Sequence, residues 1–267
     1  MKQLELKNVE HKHKAGNRCK YIEPNINEDT LFMENGEVIG FYKKNLTGKV
    51  KKLLELTDYE FRSKNVPKAM LKRSNVLTYT RKGMSNKQAE ALATVQMSAI
   101  LGSMLPKPQM KRNYPCTSSV HQHKSANNFV KAMLLLNKEA GKLIKKYLPE
   151  THERQKDLVK ENVPKKWRFG ELFTGSISNY NISAPFHQDN LNMKGGVNAI
   201  YTTRNNATGG CLNVPDYDAT IEMANNSICV YPAWKNLHGV TPIQCEDDKS
   251  YRNTHIFYLL NGFQPYG

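Results

Sequence analysis

Phe186-His187-Gln188-Asp189-Asn190 carries two metal-capable side chains one residue apart, and the chain supplies a third, His238, on a later segment. In an extended strand alternate residues point to the same side, so His187 and Asp189 are placed to grip one ion together. Two imidazoles and one carboxylate form the facial set that leaves three positions of a non-haem Fe(II) open, which makes an iron oxygenase the first hypothesis. The intervening chain reads as able to bring His238 back: Asn198 to Thr203 as a strand, Gly209-Gly210 as a turn, and Ser227 to Tyr231 as a strand ending at Pro232. Beyond His238 comes Arg252, with Ile256 to Leu260 continuing as a β-type run; a guanidinium fork there suits a dicarboxylate co-substrate. A histidine, one residue and an aspartate are common by themselves, and a lone strand histidine is more often a core or surface residue. The combination with His238-Gly239-Val240-Thr241-Pro242, the glycine turn and Arg252 carries the reading.

HQDN at 187–190, GGCLNVP at 209–215, LHGVTP at 237–242 and YRNTHIFYLL at 251–260 together resemble the Fe(II)/2-oxoglutarate dioxygenases. Within that superfamily they are most similar to the TET/JBP branch, which oxidises the 5-methyl group of pyrimidines in nucleic acid. The resemblance covers about residues 166–263, and the first 160 residues only in outline. It implies a double-stranded β-helix (jelly-roll) fold in which His187, Asp189 and His238 hold Fe(II). Arg252 and, two residues along, Thr254 would bind the far carboxylate of 2-oxoglutarate, whose keto-acid end chelates the metal, with O2 as oxidant. An aspartate at 189, where a related halogenase has a small residue, implies hydroxylation. A methyl group on a stacked base cannot reach a buried iron, so a duplex substrate implies base flipping. Tyr180, Asn190, Asn192 and Asn198 are the candidate residues of the base pocket. The similarity to small cytosine-oxidising members implies 5-methylcytosine to 5-hydroxymethylcytosine, with thymine to 5-hydroxymethyluracil next. Two alternatives stay open: a prolyl-hydroxylase-like or small-molecule oxygenase with the same triad, and a non-catalytic DNA-binding protein on the same fold.

The charge is unevenly placed. Residues 1–170 hold 34 Lys/Arg and 16 Asp/Glu, while residues 171–267 hold 5 and 8, so the chain's net +15 comes wholly from its first part. From Arg62 to Lys138 there are 14 basic residues and one acid, Glu90. Such a field favours polyanions through phosphate contacts and counterion release, which makes DNA the expected partner and Lys68, Lys72 and Arg73 candidate contacts. A lysine-rich surface that merely keeps a protein soluble is the plainer reading, and so one-sided a ratio argues against it.

The expected class is α+β: a basic, mostly helical part (1–165) with an early hairpin buttresses a jelly-roll catalytic core (166–267), in one continuous catalytic domain. Thr30 to Phe32 and Val38 to Tyr42 flank Glu34-Asn35-Gly36, where Asn-Gly suits a type I′ turn. Helices are expected over Val50 to Leu56, from Ser85 to about Leu105, from Ser125 through Tyr147 on an apolar stripe of period 3.6, and over Glu153 to Lys160. Asn113 to Lys124 reads as a polar loop open to substrate, and Leu172 to Ser178 as the strand before the metal motif. Five scattered cysteines lack a CxxC pair, and Cys116 with His121 and His123, or Cys19 with His11 and His13, lacks the four ligands of a zinc site. Met1 to Lys7 has no apolar signal region and no apolar run approaches a membrane span, so a soluble, cytoplasmic monomer is expected.

Overall fold

The computed structural model of the protein describes residues 1–67, 72–73, 83, 85, 96–247 and 249–267. Asn35 and Gly36 both have positive φ, as the type I′ turn requires, and join β2 (Thr30–Glu34) to β3 (Glu37–Lys43). The short β1 (Lys2–Glu5) runs parallel to β2 at the sheet edge. Strand β3 pairs with β13 (Ser227–Tyr231), and the sheet continues through β9 (Asn198–Asn205), β16 (Tyr251–Tyr258), β7 (Gly175–Tyr180), β5 (Gln96–Met104) and β4 (Lys72–Arg73). The short β6 (Cys116–Thr117) pairs with β5. The main sheet thus takes strands from both the basic and the neutral parts of the chain.

A four-stranded sheet, β12 (Ala219–Ile221), β11 (Leu212–Val214), β14 (His238–Val240) and β8 (Ala184–His187), faces it to complete the double-stranded β-helix. Phe32, Tyr42, Ile200, Leu212, Ile221 and Tyr231 fill the space between the sheets. β10 (Ala207–Gly209) and β15 (Ile243–Cys245) form a separate ribbon.

The other face of the main sheet is covered by α1 (Gly48–Arg62) and α3 (Asn127–Tyr147), the latter preceded by the one-turn α2 (Ser119–Gln122) and followed by α4 (Pro149–Asn162). Phe129, Met133, Leu136, Ala140 and Ile144 of α3 recur at helical spacing and pack with Leu54 and Phe61 of α1 on Tyr201 and Phe257 of the sheet. Among the described residues no helix is long and apolar enough to cross a membrane.

Three expectations change. Residues 96–104 form β5, not a helix; the rest of the helix expected from Ser85 lies outside the described residues apart from Ser85 itself. The stretch is rich in alanine and methionine, which favour helix, but it lies inside the sheet between β4 and β7 and is buried on both faces. Residues of both parities are therefore apolar or small, and periodicity cannot separate strand from helix. Second, α1 runs past Leu56 to Arg62. Third, the expected loop Asn113 to Lys124 is partly ordered: His121 of α2 is turned inward, where its Nδ1 accepts the Gly102 amide at 3.0 Å.

Candidate active site

Strand alternation sorts β16 into two sets. Arg252, Thr254, Ile256 and Tyr258 line a cavity of about 500 Å³ between the sheets, whereas Tyr251, Asn253, His255 and Phe257 face the helices. The same alternation along β7 turns Ile177 and Asn179 to the cavity. The volume is that of an ordinary ligand pocket.

His187 ends β8 and His238 begins β14, and the antiparallel register sets them directly opposite each other with ring centroids 4.3 Å apart. Asp189 follows two residues beyond His187. One ligand atom from each of the three lies within 4.8 Å of the others, and among the described residues this is the one group of His, Cys, Asp and Glu side chains so arranged. The pairings of Cys116 or Cys19 with nearby histidines form no such group. His187 Nδ1 is 2.8 Å from the Pro185 carbonyl and His238 Nδ1 is 3.0 Å from that of Asn236. A carbonyl oxygen only accepts, so each Nδ1 carries the proton and each Nε2 offers its lone pair. Burial and the neighbouring His187 hold His238 below the usual imidazole range, which favours the neutral, metal-binding form.

Asn192 Nδ2 donates to Asp189 Oδ2 at 3.2 Å and to Asn198 Oδ1 at 2.9 Å, while Asn198 Nδ2 donates to the same Asp189 oxygen at 3.1 Å. The other carboxylate oxygen, Oδ1, lies 3.7 Å from His187 Nε2. One oxygen is thus held by two amides and the other is left toward the histidines, as a monodentate ligand requires. Gln188, between His187 and Asp189, donates to the Trp234 and Lys235 carbonyls at 2.7 and 3.0 Å. That latch ties the His187 turn to the loop leading into His238. The donor set, its fixed tautomers and its single free carboxylate oxygen fit Fe(II).

Arg252 is 2% exposed, lines the cavity, and makes no ion pair among the described residues. Among the described residues its Nε finds no hydrogen-bond partner. Burial, reinforced by Arg204, pushes its guanidinium down to about 9. Arg204 stands opposite it in the β9–β16 register and donates to the Gly209 carbonyl. Gly210 has φ +64°, and a Cβ there would sit 2.4 Å from Arg252 Cδ, so the predicted glycine turn is also what makes room for the arginine. A buried cation without a counter-ion is costly, and this one faces the cavity. Thr254, 2% exposed, stands beside it on the same strand face.

The four base-pocket candidates separate. Asn190 lines the cavity mouth and is exposed. Asn192 and Asn198 also line the cavity, but their amides are engaged by Asp189 and each other. Tyr180 lies on the opposite face of β7, its ring 5.5 Å from Tyr251 and 6.4 Å from Phe61 of α1, and so is excluded from the pocket by strand parity. Lys68 lies outside the described residues; Lys72 and Arg73 form β4, at the end of the main sheet. The supporting roles of Arg204 and of the Asn192–Asn198 pair escape a reading of the sequence, because they depend on cross-strand and loop contacts that spacing does not reveal.

The family model of the Tet/JBP oxygenase domain of the 2OGFeDO superfamily matches residues 102–261, more than half of the chain. No curated protein matches the sequence. Among solved structures, NgTET1 in complex with 5mC DNA matches with TM-score 0.58 at 13% identity, covering 94% of this chain and 85% of that one. A full-length Neurospora crassa protein in complex with alpha-KG gives TM-score 0.43 at 10% identity over 82% of this chain and 75% of that one. A 2OG-Fe(II) oxygenase family protein from Caulobacter crescentus gives 0.43 at 12% over 82% and 77%. At 13% identity the likeness to NgTET1 concerns the fold alone, and the family match carries the assignment: the chain belongs to the Tet/JBP oxygenase family and is a 2-oxoglutarate- and Fe(II)-dependent dioxygenase.

Proposed function

We propose that this dioxygenase hydroxylates the 5-methyl group of a pyrimidine in DNA, converting 5-methylcytosine to 5-hydroxymethylcytosine, with thymine to 5-hydroxymethyluracil as the next substrate. The observation that carries the reading is the cavity: the His187–Asp189–His238 group stands at its open side and the uncompensated Arg252 in its wall, in a chain of the Tet/JBP family.

His187, Asp189 and His238 would hold the iron, which with O2 and 2-oxoglutarate supplies the oxidant as the co-substrate is converted to succinate and CO2. Arg252, with Thr254 beside it, binds the far carboxylate of 2-oxoglutarate and so fixes which way the co-substrate lies in the cavity. Asn192 and Asn198 hold Asp189 with one oxygen toward the metal position. Ile200, Leu212 and Tyr231 give the cavity an apolar wall that limits water near the reacting methyl. Asn190 at the mouth carries an amide able to meet the edge of an extruded base, and the basic stretch with Lys68, Lys72 and Arg73 adds affinity for the phosphate backbone. Incubating the protein with Fe(II), 2-oxoglutarate and DNA containing 5-methylcytosine, then digesting to nucleosides for mass spectrometry, should show 5-hydroxymethylcytosine. Formation of 5-hydroxymethyluridine with 5-methylcytosine intact reverses the choice of base. Succinate release stimulated only by a peptide or metabolite overturns the DNA reading.

A further inference from the structure

Residues 7–25 contain no helix or strand, yet they are tied closely to the strands that bear the metal histidines. The Val9 amide donates to the Asp216 carbonyl at 2.8 Å, and His11 Nε2 meets Asp216 Oδ1 at 2.6 Å. The other oxygen of Asp216 accepts from Asn236 Nδ2 at 2.7 Å and from the Leu237 amide at 3.3 Å, in the loop that enters His238. Farther along, the Gly16 amide donates to the Phe186 carbonyl at 2.7 Å and the Phe186 amide donates to the Asn17 carbonyl at 2.9 Å, one residue before His187. The His13 ring lies 4.6 Å from the Phe186 ring. Cys19 is buried against Gly239, where a Cβ would come within 2.9 Å of the Cys19 Cβ. The strap therefore crosses the β8–β14 pair and closes the β8 edge, where the half-exposed His187 marks the opening of the cavity.

Its composition is one-sided. His11-Lys12-His13-Lys14-Ala15-Gly16-Asn17-Arg18-Cys19-Lys20 has four permanent cations and no acid. Lys12, Lys14, Arg18 and Lys20 are all exposed, and none forms an ion pair among the described residues. Ordering such a segment costs backbone entropy at every residue, and Cys19 is the one side chain it buries between Lys7 and Asn25. A lysine-rich tail that only aids solubility gains nothing from being fixed. Fixing the cations beside a cavity mouth concentrates positive potential where an anionic chain would pass.

We propose that the strap 11–20 is a phosphate-binding rail that holds the nucleic-acid backbone at the cavity mouth, so that a base extruded from it faces the His187–Asp189–His238 group. This rests on the reading of the substrate as nucleic acid. Lys12, Lys14, Arg18 and Lys20 contact successive phosphates, and the Gly16–Phe186 and His11–Asp216 ties set the distance between backbone and metal.

The test compares the wild type with the variant Lys12→Ala/Lys14→Ala/Arg18→Ala/Lys20→Ala on a short duplex containing 5-methylcytosine, by fluorescence anisotropy across a salt series. Removing up to four cations from the phosphate path should weaken binding at low salt by at least about tenfold and lower the slope of log affinity against log salt by roughly 0.9 for each phosphate no longer neutralised. An unchanged melting temperature shows that the fold is intact, and the charge-conserving Lys12→Arg/Lys14→Arg/Lys20→Arg protein should bind as the wild type does. Equal affinity and equal slope for wild type and alanine variant overturn the rail while leaving the substrate reading standing. A wild type that releases succinate but binds neither duplex nor single-stranded DNA removes that reading, and the rail with it.

Discussion

On the helix side of the main sheet Asp58 is buried and accepts four hydrogen bonds: from Thr203 Oγ1 at 2.9 Å and Asn253 Nδ2 at 3.0 Å on one oxygen, and from Arg62 Nε and Tyr251 Oη, both at 2.9 Å, on the other. On the cavity side Arg252, one residue from both Tyr251 and Asn253, is equally buried and has no counter-charge among the described residues. The same strand thus carries a satisfied charge on one face and an unsatisfied one on the other. A buried charge whose partners are all internal holds elements together; one whose partner is missing anticipates a ligand. Mutations on the helix face should therefore act on stability, and those on the cavity face on binding and turnover.

The largest effect should come from the metal group. His238→Ala or Asp189→Ala leaves two protein ligands, which forfeits metal affinity and the geometry that orients O2. Turnover should fall by about 1,000-fold or more with the melting temperature of the metal-free protein little changed. Wild-type turnover and Fe(II) affinity in Asp189→Ala would remove that residue from the ligand set.

Asp58→Ala is the counterpart on the other face. It leaves the Asn253, Thr203 and Tyr251 donors and the Arg62 charge without their acceptor, a loss of about 3–5 kcal/mol in denaturant unfolding. Fe(II) binding at a temperature where the variant stays folded should match the wild type. If unfolding were unaffected while metal affinity dropped, the division between the faces would fail.

Arg252→Leu should leave iron binding near normal and raise the apparent 2-oxoglutarate requirement at least about tenfold, because truncating one partner of a buried charge pair costs about 2–5 kcal/mol. An unchanged requirement in a co-substrate titration would move the carboxylate partner elsewhere, with Arg204 the first candidate.

The cavity face is more legible in the sequence than the helix face, for a physical reason. His187 and Arg252 are legible because each sits on a strand whose alternation can be followed over a few residues, and the glycine turn that clears space for Arg252 is visible as Gly209-Gly210; Asp189, expected on the same strand as His187, instead lies just past the end of β8. Tyr180 reads as a pocket residue but is not one, because its face depends on the parity of β7, and Ile177 and Asn179 take the cavity side. Asn192 and Asn198 are visibly polar and close to the metal motif, yet their partner, Asp189, is fixed by a loop conformation. Asp58 gives no signal, since a carboxylate on α1 becomes structural only when a strand about two hundred residues later in the chain arrives beneath it. β5 reads as helix because burial on both faces erases the alternation that marks a strand.

The smallest predicted effect concerns acid. His255 is fully buried on the helix face, with Nδ1 2.7 Å from Ser178 Oγ and Nε2 without a partner among the described residues, and burial pushes it down to about 4 from a usual value near 6.5. Burial alone would raise Asp58, but the Asn253 amide, the nearby His255 and Arg62 outweigh it and hold the carboxyl below its ordinary range. Both groups therefore bind protons less readily folded than unfolded. The stability they contribute is present above their unfolded pKa values and is lost as pH falls through the folded ones. For His255 that window runs from about 6.5 down to about 4, and Asp58 extends it to lower pH. Melting temperature should therefore decline from neutral pH toward 4, and His255→Gln, which cannot titrate, should flatten that decline while starting from a lower value. The cavity face adds the control: a metal that binds only the folded state, on the sheet face away from His255, adds stability whether or not residue 255 titrates, so saturating Fe(II) under anaerobic conditions should shift the wild type and His255→Gln curves upward together. A His255→Gln curve as steep as the wild type's would assign the acid sensitivity to other groups.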